Sequence, residues 1–227
     1  MERANWKLSP SDFAFLWQEC KRCFYLKVAR GLPRPSAPMP KIFTRIDLLM
    51  KDFFAGKSTA ELASELPPGA VHFGEQWVES EPISLPGHSA TCFIRGKFDT
   101  TVKFDDGSYG VIDFKTSEAK PEHISLYGRQ LHAYAYALEN PAPGKLRLSP
   151  ISKLGLLCVE PRQMVQAEQG DYSYLARPAW LECPRDDAAF LAFLGEVLEV
   201  VARPEPPAAS EKCGWCRYRE TARQTRL

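Results

Sequence analysis

The sequence has no run of 18 or more apolar residues, so no segment of it is long enough to cross a bilayer as a helix. Its opening, Met1-Glu2-Arg3-Ala4-Asn5-Trp6-Lys7, lacks the charged-then-apolar order of a secretory signal. These two absences predict a cytoplasmic protein with no membrane partner. Internal repeats are missing as well. Net charge is almost absent: 29 Lys and Arg stand against 28 Asp and Glu, leaving +1 and no global electrostatic argument for any partner. Cysteine is present in an odd number, seven, which in a reducing compartment argues against a disulfide framework and favours metal binding by any that cluster.

What is present suffices for a sizeable core. At 227 residues and 44% hydrophobic content, the chain is expected to form a single domain, with its core over 41–202 and terminal segments at 1–40 and 203–227. The charge that cancels overall is unevenly placed. Lys21, Arg22, Lys27, Arg30 and Arg34 follow Cys20 with no acid among them, and Lys212, Arg217, Arg219, Arg223 and Arg226 outnumber Glu220 near the other end. Basic patches of this kind suit phosphate backbones, although solvated chain ends would look the same.

The stretch from Gly96 to Tyr134 organises the rest. Asp105-Asp106-Gly107 suits a three-residue hairpin loop closed by a left-handed glycine. That loop sets Phe104 opposite Ser108, Asp99 opposite Asp113 and Lys97 opposite Lys115. Alternation then places Lys97, Asp99, Asp113 and Lys115 on one face, and Phe98, Thr100, Val102, Ile112 and Phe114 on the other. Opposed like charges cost a few tenths to about 1 kcal/mol across a strand pair. A hard divalent cation would offset that cost, and Lys115 could then orient a water and stabilise charge on a phosphate. A solvated hairpin with scattered charges is the plain alternative.

The order G-x-x-D (Gly96 to Asp99), D-x-K-T (Asp113 to Thr116) and Q-L-x-x-Y (Gln130 to Tyr134) resembles the PD-(D/E)XK nuclease superfamily, in its RecB-like branch. The resemblance implies a restriction-endonuclease-like α/β fold with an αβββαβ core, its mixed central sheet flanked by helices. It assigns Mg²⁺ or Mn²⁺ to Asp99, Asp113 and the carbonyl of Phe114, and it makes Lys115 catalytic. Gln130 and Tyr134 fall on the helix motif beside the site, although a Gln and a Tyr on an apolar stripe also serve as ordinary core residues. Many relatives place a metal-binding His on the helix corresponding to Lys41–Phe54. This chain has none there, and Asp47 is the substitute candidate, with an i, i+4 pair to Lys51 explaining it equally well. Relatives often carry a glutamate near the preceding strand, here Glu79 or Glu81.

Read in order, Ser9-Pro10 opens a helix running to about Val28, with Phe13, Leu16, Trp17, Cys20, Phe24 and Leu26 on its apolar face. Pro33 to Pro40 is a loop. The pattern predicts helices over Lys41–Phe54, burying Ile42, Phe43, Ile46, Leu49, Met50 and Phe53, and over 58–66, 121–139 and 186–202. Strands are expected over 77–85 and 153–160, with one or two more within 172–182.

Cys20-x-x-Cys23 and Cys213-x-x-Cys216 lie near opposite ends of the chain, and four thiolates can hold tetrahedral Zn²⁺ or a [4Fe–4S] cluster. Placing the first pair inside a helix weakens that reading. Cys20-Lys-Arg-Cys-Phe-Tyr-Leu is similar to the opening of RecB-like nucleases. Several of these, AddB-type and CRISPR-adaptation members included, join their terminal segments through an iron–sulfur cluster with one early and three late cysteines. This chain has only two late ones. A [4Fe–4S] cluster, structural Zn²⁺ and no metal all remain open at this stage.

The resemblance implies a metal-dependent deoxyribonuclease, an exonuclease on single-stranded DNA or DNA ends acting in repair, recombination or defence. The alternative is a catalytically weakened nucleic-acid-binding subunit of a helicase–nuclease or CRISPR-type assembly.

Overall fold

A computed structural model describes residues 4–35 and 40–225. Met1 to Arg3 of the opening stretch, residues 36–39 of the proline-rich loop and Arg226 of the basic run lie outside them.

Two sheets share the molecule. The smaller is centred on β5 (Thr91–Phe98), which pairs in parallel with β1 (Asn5–Leu8) and antiparallel with β3 (Gln76–Glu79) and β4 (Ile83–Ser84). The larger runs β2 (Gly69–Phe73), β6 (Thr100–Phe104), β7 (Tyr109–Lys115), β8 (Ile151–Gln166), β9 (Tyr172–Glu182) in spatial order, and only its β7–β8 pair is parallel. A parallel pair needs a crossover, and the helix α5 (Glu122–Glu139) supplies it.

The hairpin forms as its turn residues dictate. Gly107 has φ 87°, its N–H donates to the Phe104 carbonyl at 3.0 Å, and Thr100 pairs with Ile112, a register that brings Asp99 level with Asp113. The strand does not continue straight through Asp99, however. The chain bends there, and β5 leaves the large sheet for the small one, so Lys97 pairs with Trp77 rather than facing Lys115. The expected division into one core face and one open face also fails, because both faces of β7 are covered. Val111 packs with Leu131, Leu138, Leu154 and Leu156 beneath α5. Ile112 and Phe114 pack on the other side with Met50 and Phe54 of α3 (Lys41–Phe54) and Leu62 of α4 (Thr59–Leu62). Burial on two faces is normal for a strand with a parallel neighbour.

The N-terminal helix is broken. A short α1 (Pro10–Asp12) passes into a π-helical turn, Phe13–Trp17, and Cys20 is extended before α2 (Lys21–Arg30) begins. Helix α3 has the expected bounds but not the expected burial. Ile42, Phe43, Leu49 and Phe53 are exposed, since only the Met50 and Phe54 side of the helix rests on the sheet. The predicted 58–66 helix shrinks to α4, closed by a capping box between Ser58 and Glu61. The expected strand at 77–85 divides into β3 and β4, and β8 runs six residues past Glu160. Near the C-terminus, α6 (Asp187–Val201), capped by the Asp186 carboxylate, packs Phe193 edge-on against Phe13 and Trp17. It is followed by α7 (Gly214–Gln224), a helix that no sequence pattern announced. Among the described residues, no helix is long and apolar enough to cross a membrane.

Candidate active site

Asp99 occupies the bend between the sheets, and its Oδ2 accepts the Phe114 N–H at 3.0 Å. Gly96, at the head of the same motif, is held by packing rather than by backbone conformation: a Cβ there would lie 2.6 Å from Pro10 Cδ and 3.2 Å from Tyr134. Only a glycine lets β5 pass so close to α1 and α5.

Asp113 is 4% exposed. Gln130 Nε2 donates to its Oδ1 at 3.0 Å, while Oδ2 meets the Lys115 ammonium as an ion pair. Burial pushes the Asp113 carboxyl up to about 6; Lys115 opposes that shift and Asp99 adds to it. For Lys115, burial favours the neutral amine, but the Asp113 carboxylate outweighs it and the net shift is upward. The same ammonium lies 4.2 Å from the centre of the Tyr127 ring. Tyr134, one turn after Gln130, donates its hydroxyl to the Lys97 carbonyl at 2.7 Å, and burial raises its phenol far enough to keep that proton in place.

The structure thus gathers Asp99, Asp113, Lys115, Gln130 and Tyr134 where β5, β7 and α5 meet. Asp47 joins them through an intermediary that sequence reasoning treated only as its helix partner. Lys51 Nζ lies 2.7 Å from Asp47 Oδ2, 2.7 Å from Glu75 Oε2 and 2.9 Å from Asp99 Oδ1. Burial works against the Lys51 charge, yet the three carboxylates prevail and raise its pKa. Glu75 is lowered by Lys51 first and Lys97 second. Glu75 is therefore the glutamate of this cluster. Glu79 pairs with Arg95 at 3.3 Å, and the Glu81 backbone bonds Asn140 at the end of α5. A signal for Glu75 existed in its position just before the strand, but nothing local pointed from it to Lys51.

The donor set suits a hard divalent ion. Two carboxylates of opposed strands converge, and the Asp113 carboxylate is buried with one oxygen on Gln130 and the other on the Lys115 ammonium, a carboxylate-rich setting of the kind hard divalent ions take.

The cysteines make a second candidate centre. Cys20 and Cys213 stand at the N-caps of α2 and α7, so Cys23 and Cys216 fall in the first turns, and both positive helix ends point at the sulfurs. The break at Cys20 removes the objection to a ligand inside a helix. Sγ atoms are 3.8 Å apart for Cys20 and Cys216, 3.7 Å for Cys23 and Cys213, and 3.5 Å for Cys23 and Cys216, and all four lie within 4.8 Å. Arg34 adds an N–H to Cys213 Sγ at 3.1 Å while it pairs with Glu19. Burial opposes ionisation of Cys20, but backbone hydrogen bonds from Ser210 and Cys23 overcome it and lower the thiol to about 7. Burial instead pushes Cys23 and Cys216 up. A tetrahedral ion with metal–sulfur bonds of about 2.3 Å sets its sulfurs about 3.8 Å apart, close to the spacing here. A four-iron cubane places an iron behind every sulfur and needs them spread wider. The two basic runs also meet: Arg22 lines one cleft of about 490 Å³ with Arg217, Arg219 and Arg223.

No curated protein matches the sequence. The chain is similar in fold to a solved structure titled "Crystal structure of SSO0001", at a TM-score of 0.50 and 16% identity, over 93% of this chain and 82% of that one. A family model described as the PD-(D/E)XK nuclease superfamily matches residues 61–221, a span that includes Asp99, Asp113, Lys115, Gln130, Tyr134 and the later cysteine pair.

Proposed function

The chain belongs to the PD-(D/E)XK nuclease superfamily, and from that premise we propose that it hydrolyses DNA phosphodiester bonds with Mg²⁺ or Mn²⁺ held by Asp99, Asp113 and the Phe114 carbonyl. The observation that carries this reading is the juxtaposition of Asp99 with a buried Asp113 whose Oδ2 meets the Lys115 ammonium. The Phe114 N–H already points at Asp99, and in a strand the carbonyl of a residue points the same way as its N–H. A bound divalent ion supplies charge neutralisation for the phosphate and makes a water acidic enough to attack at neutral pH. The protein's own groups do the rest. Asp99 and Asp113 fix the position of the ion, and Gln130 sets the rotation of the Asp113 carboxylate. Lys115 presents an ammonium to the scissile phosphate, where it orients the attacking water and stabilises the charge that develops.

The order of the motifs supports the RecB-like branch. Action on single strands or DNA ends in repair, recombination or defence, in the cytoplasm and with helicase or CRISPR-type partners, belongs to the same proposal. At the cysteines we favour one structural Zn²⁺ over a [4Fe–4S] cluster because of the sulfur spacing. The test is release of labelled nucleotides from single-stranded DNA in Mn²⁺, expected for the wild type and lost in Asp113→Asn. A second reading, a binding subunit without turnover, is favoured by one feature: a lysine, Lys51, sits among the acids on a helix that lacks the metal-binding His of many relatives. Absence of cleavage by folded, Mn²⁺-bound wild-type protein would select it.

A further inference from the structure

Trp77 is 61% exposed, on the small sheet and directly across from Lys97. An indole left open to water beside a row of cations is not packing the core. The Arg95 guanidinium lies 5.6 Å from its ring centre, and the two residues share a cleft of about 680 Å³ with Lys7, Lys27, Lys97 and Tyr134. Four cations line this cleft against one acid, Asp12, which Lys27 already holds at 2.6 Å. Lys97 and Arg95 share their charge with Glu75 and Glu79, whereas Lys7 has no ion pair among the described residues. The cleft borders the acids described above through Lys97, whose ammonium pairs with Glu75. Its floor includes the Tyr134 side chain, whose hydroxyl is bonded to Lys97, and Asp99 follows Lys97 by two residues.

The geometry points to a binding site for single-stranded nucleic acid, in which the Trp77 face stacks on an unpaired base while Lys7, Lys27 and Lys97 follow the phosphates. A base is available for such stacking only outside a duplex, so this surface selects single strands and feeds them toward Asp99. The inference rests on the nuclease reading and deepens it by assigning the single-strand contact to Trp77 and its lysines, but it concerns binding alone and can be measured without turnover.

The experiment is fluorescence anisotropy of the full chain with no Mg²⁺ or Mn²⁺ added, with a labelled short oligo-dT strand and a duplex of the same length. Trp77→Ala should weaken single-strand binding about ten-fold and leave duplex binding nearly unchanged, since stacking one base on an aromatic ring is worth roughly that factor. Trp77→Phe should restore most of the loss, because its ring keeps a π face. Single-strand affinity of Trp77→Ala equal to wild type, or an equal loss on the duplex, would overturn the proposal. Cleavage in Mn²⁺ is followed separately, so a Trp77 variant that binds normally refutes this site without touching the nuclease reading. A chain that never cleaves but needs Trp77 to bind refutes only the latter.

Discussion

Lys51 holds its ammonium 2.9 Å from Asp99 Oδ1, which makes a lysine the nearest cation to the acid at the bend. The same nitrogen satisfies Asp47 and Glu75, so three carboxylates converge on one positive charge. Lys51→Met removes that charge and leaves the three acids facing one another. The metal-free protein should lose about 1–2 kcal/mol, less than a fully buried pair would because Glu75 and Asp47 are partly solvated. Mn²⁺ should then raise the melting temperature of the variant more than that of the wild type, since at a given concentration a ligand stabilises more the tighter it binds. Equal Mn²⁺ shifts in the two proteins would mean that Lys51 does not compete with the ion.

Gln130 donates to Asp113 and to neither of the other proposed ligands, so it would act on a bound ion only through that carboxylate. Gln130→Ala should therefore lower Mn²⁺ affinity about 10- to 100-fold, the usual effect of losing a group that orients a ligand, while the fold persists. Calorimetric titration of Mn²⁺ into the variant decides this. An unchanged affinity would reduce Gln130 to a core amide.

Asp113→Asn and Lys115→Ala should each abolish cleavage, with far-ultraviolet circular dichroism unchanged. Asn keeps the shape that Gln130 holds, so no cavity opens at this buried position. Cleavage by the Asp113 variant at the wild-type rate would remove the site from β7.

Cys213→Ser should lose its metal, melt at a lower temperature and bind DNA less well, because α7 and its arginines are anchored through that residue. Elemental analysis of freshly purified wild type should give one zinc per chain and a colourless solution. A brown, iron-containing protein would replace zinc with a cluster, and neither metal would leave the cysteines as core fillers.

The arginines around the cysteines lend themselves to a salt titration. On a single strand, log affinity should fall with log salt by about 0.7 for each phosphate neutralised, and replacing Arg22 and Arg217 together should flatten that slope. An unchanged slope would place the phosphates elsewhere.

The sequence carried the hairpin register because one glycine and two aspartates fix a turn, and counting outward from a turn needs no tertiary knowledge. It also carried the bounds of α3, α5, β9 and α6, where periodicity and stops are local. What it could not carry depends on contacts far along the chain. The bend at Asp99 exists because β1, from the start of the sequence, together with β3 and β4 claims β5 for another sheet. The exposure of Phe53 and Leu49 follows from how little of α3 the large sheet covers, whereas their spacing reads as a buried stripe. Lys51 looked like one half of an i, i+4 pair, which it is, and only the fold brings Glu75 and Asp99 to its other hydrogens. Cys20 breaks its helix through an extended backbone that no neighbouring glycine or proline foretells.

The bend at Asp99 makes this residue one of two seams between the sheets, the other being the short link from β2 to β3 that carries Glu75. A shift of the small sheet against the large one would act on Asp99 directly, because its Oδ2 is bonded to the Phe114 N–H of β7. The Asp99 seam is clamped on one side by the Phe114 N–H and on the other by Pro10 and Tyr134 closing on Gly96. A methyl group at Gly96, three residues from the acid and in contact with no ion, would wedge that clamp open, so the acid pair works as a caliper whose jaws are set by a glycine.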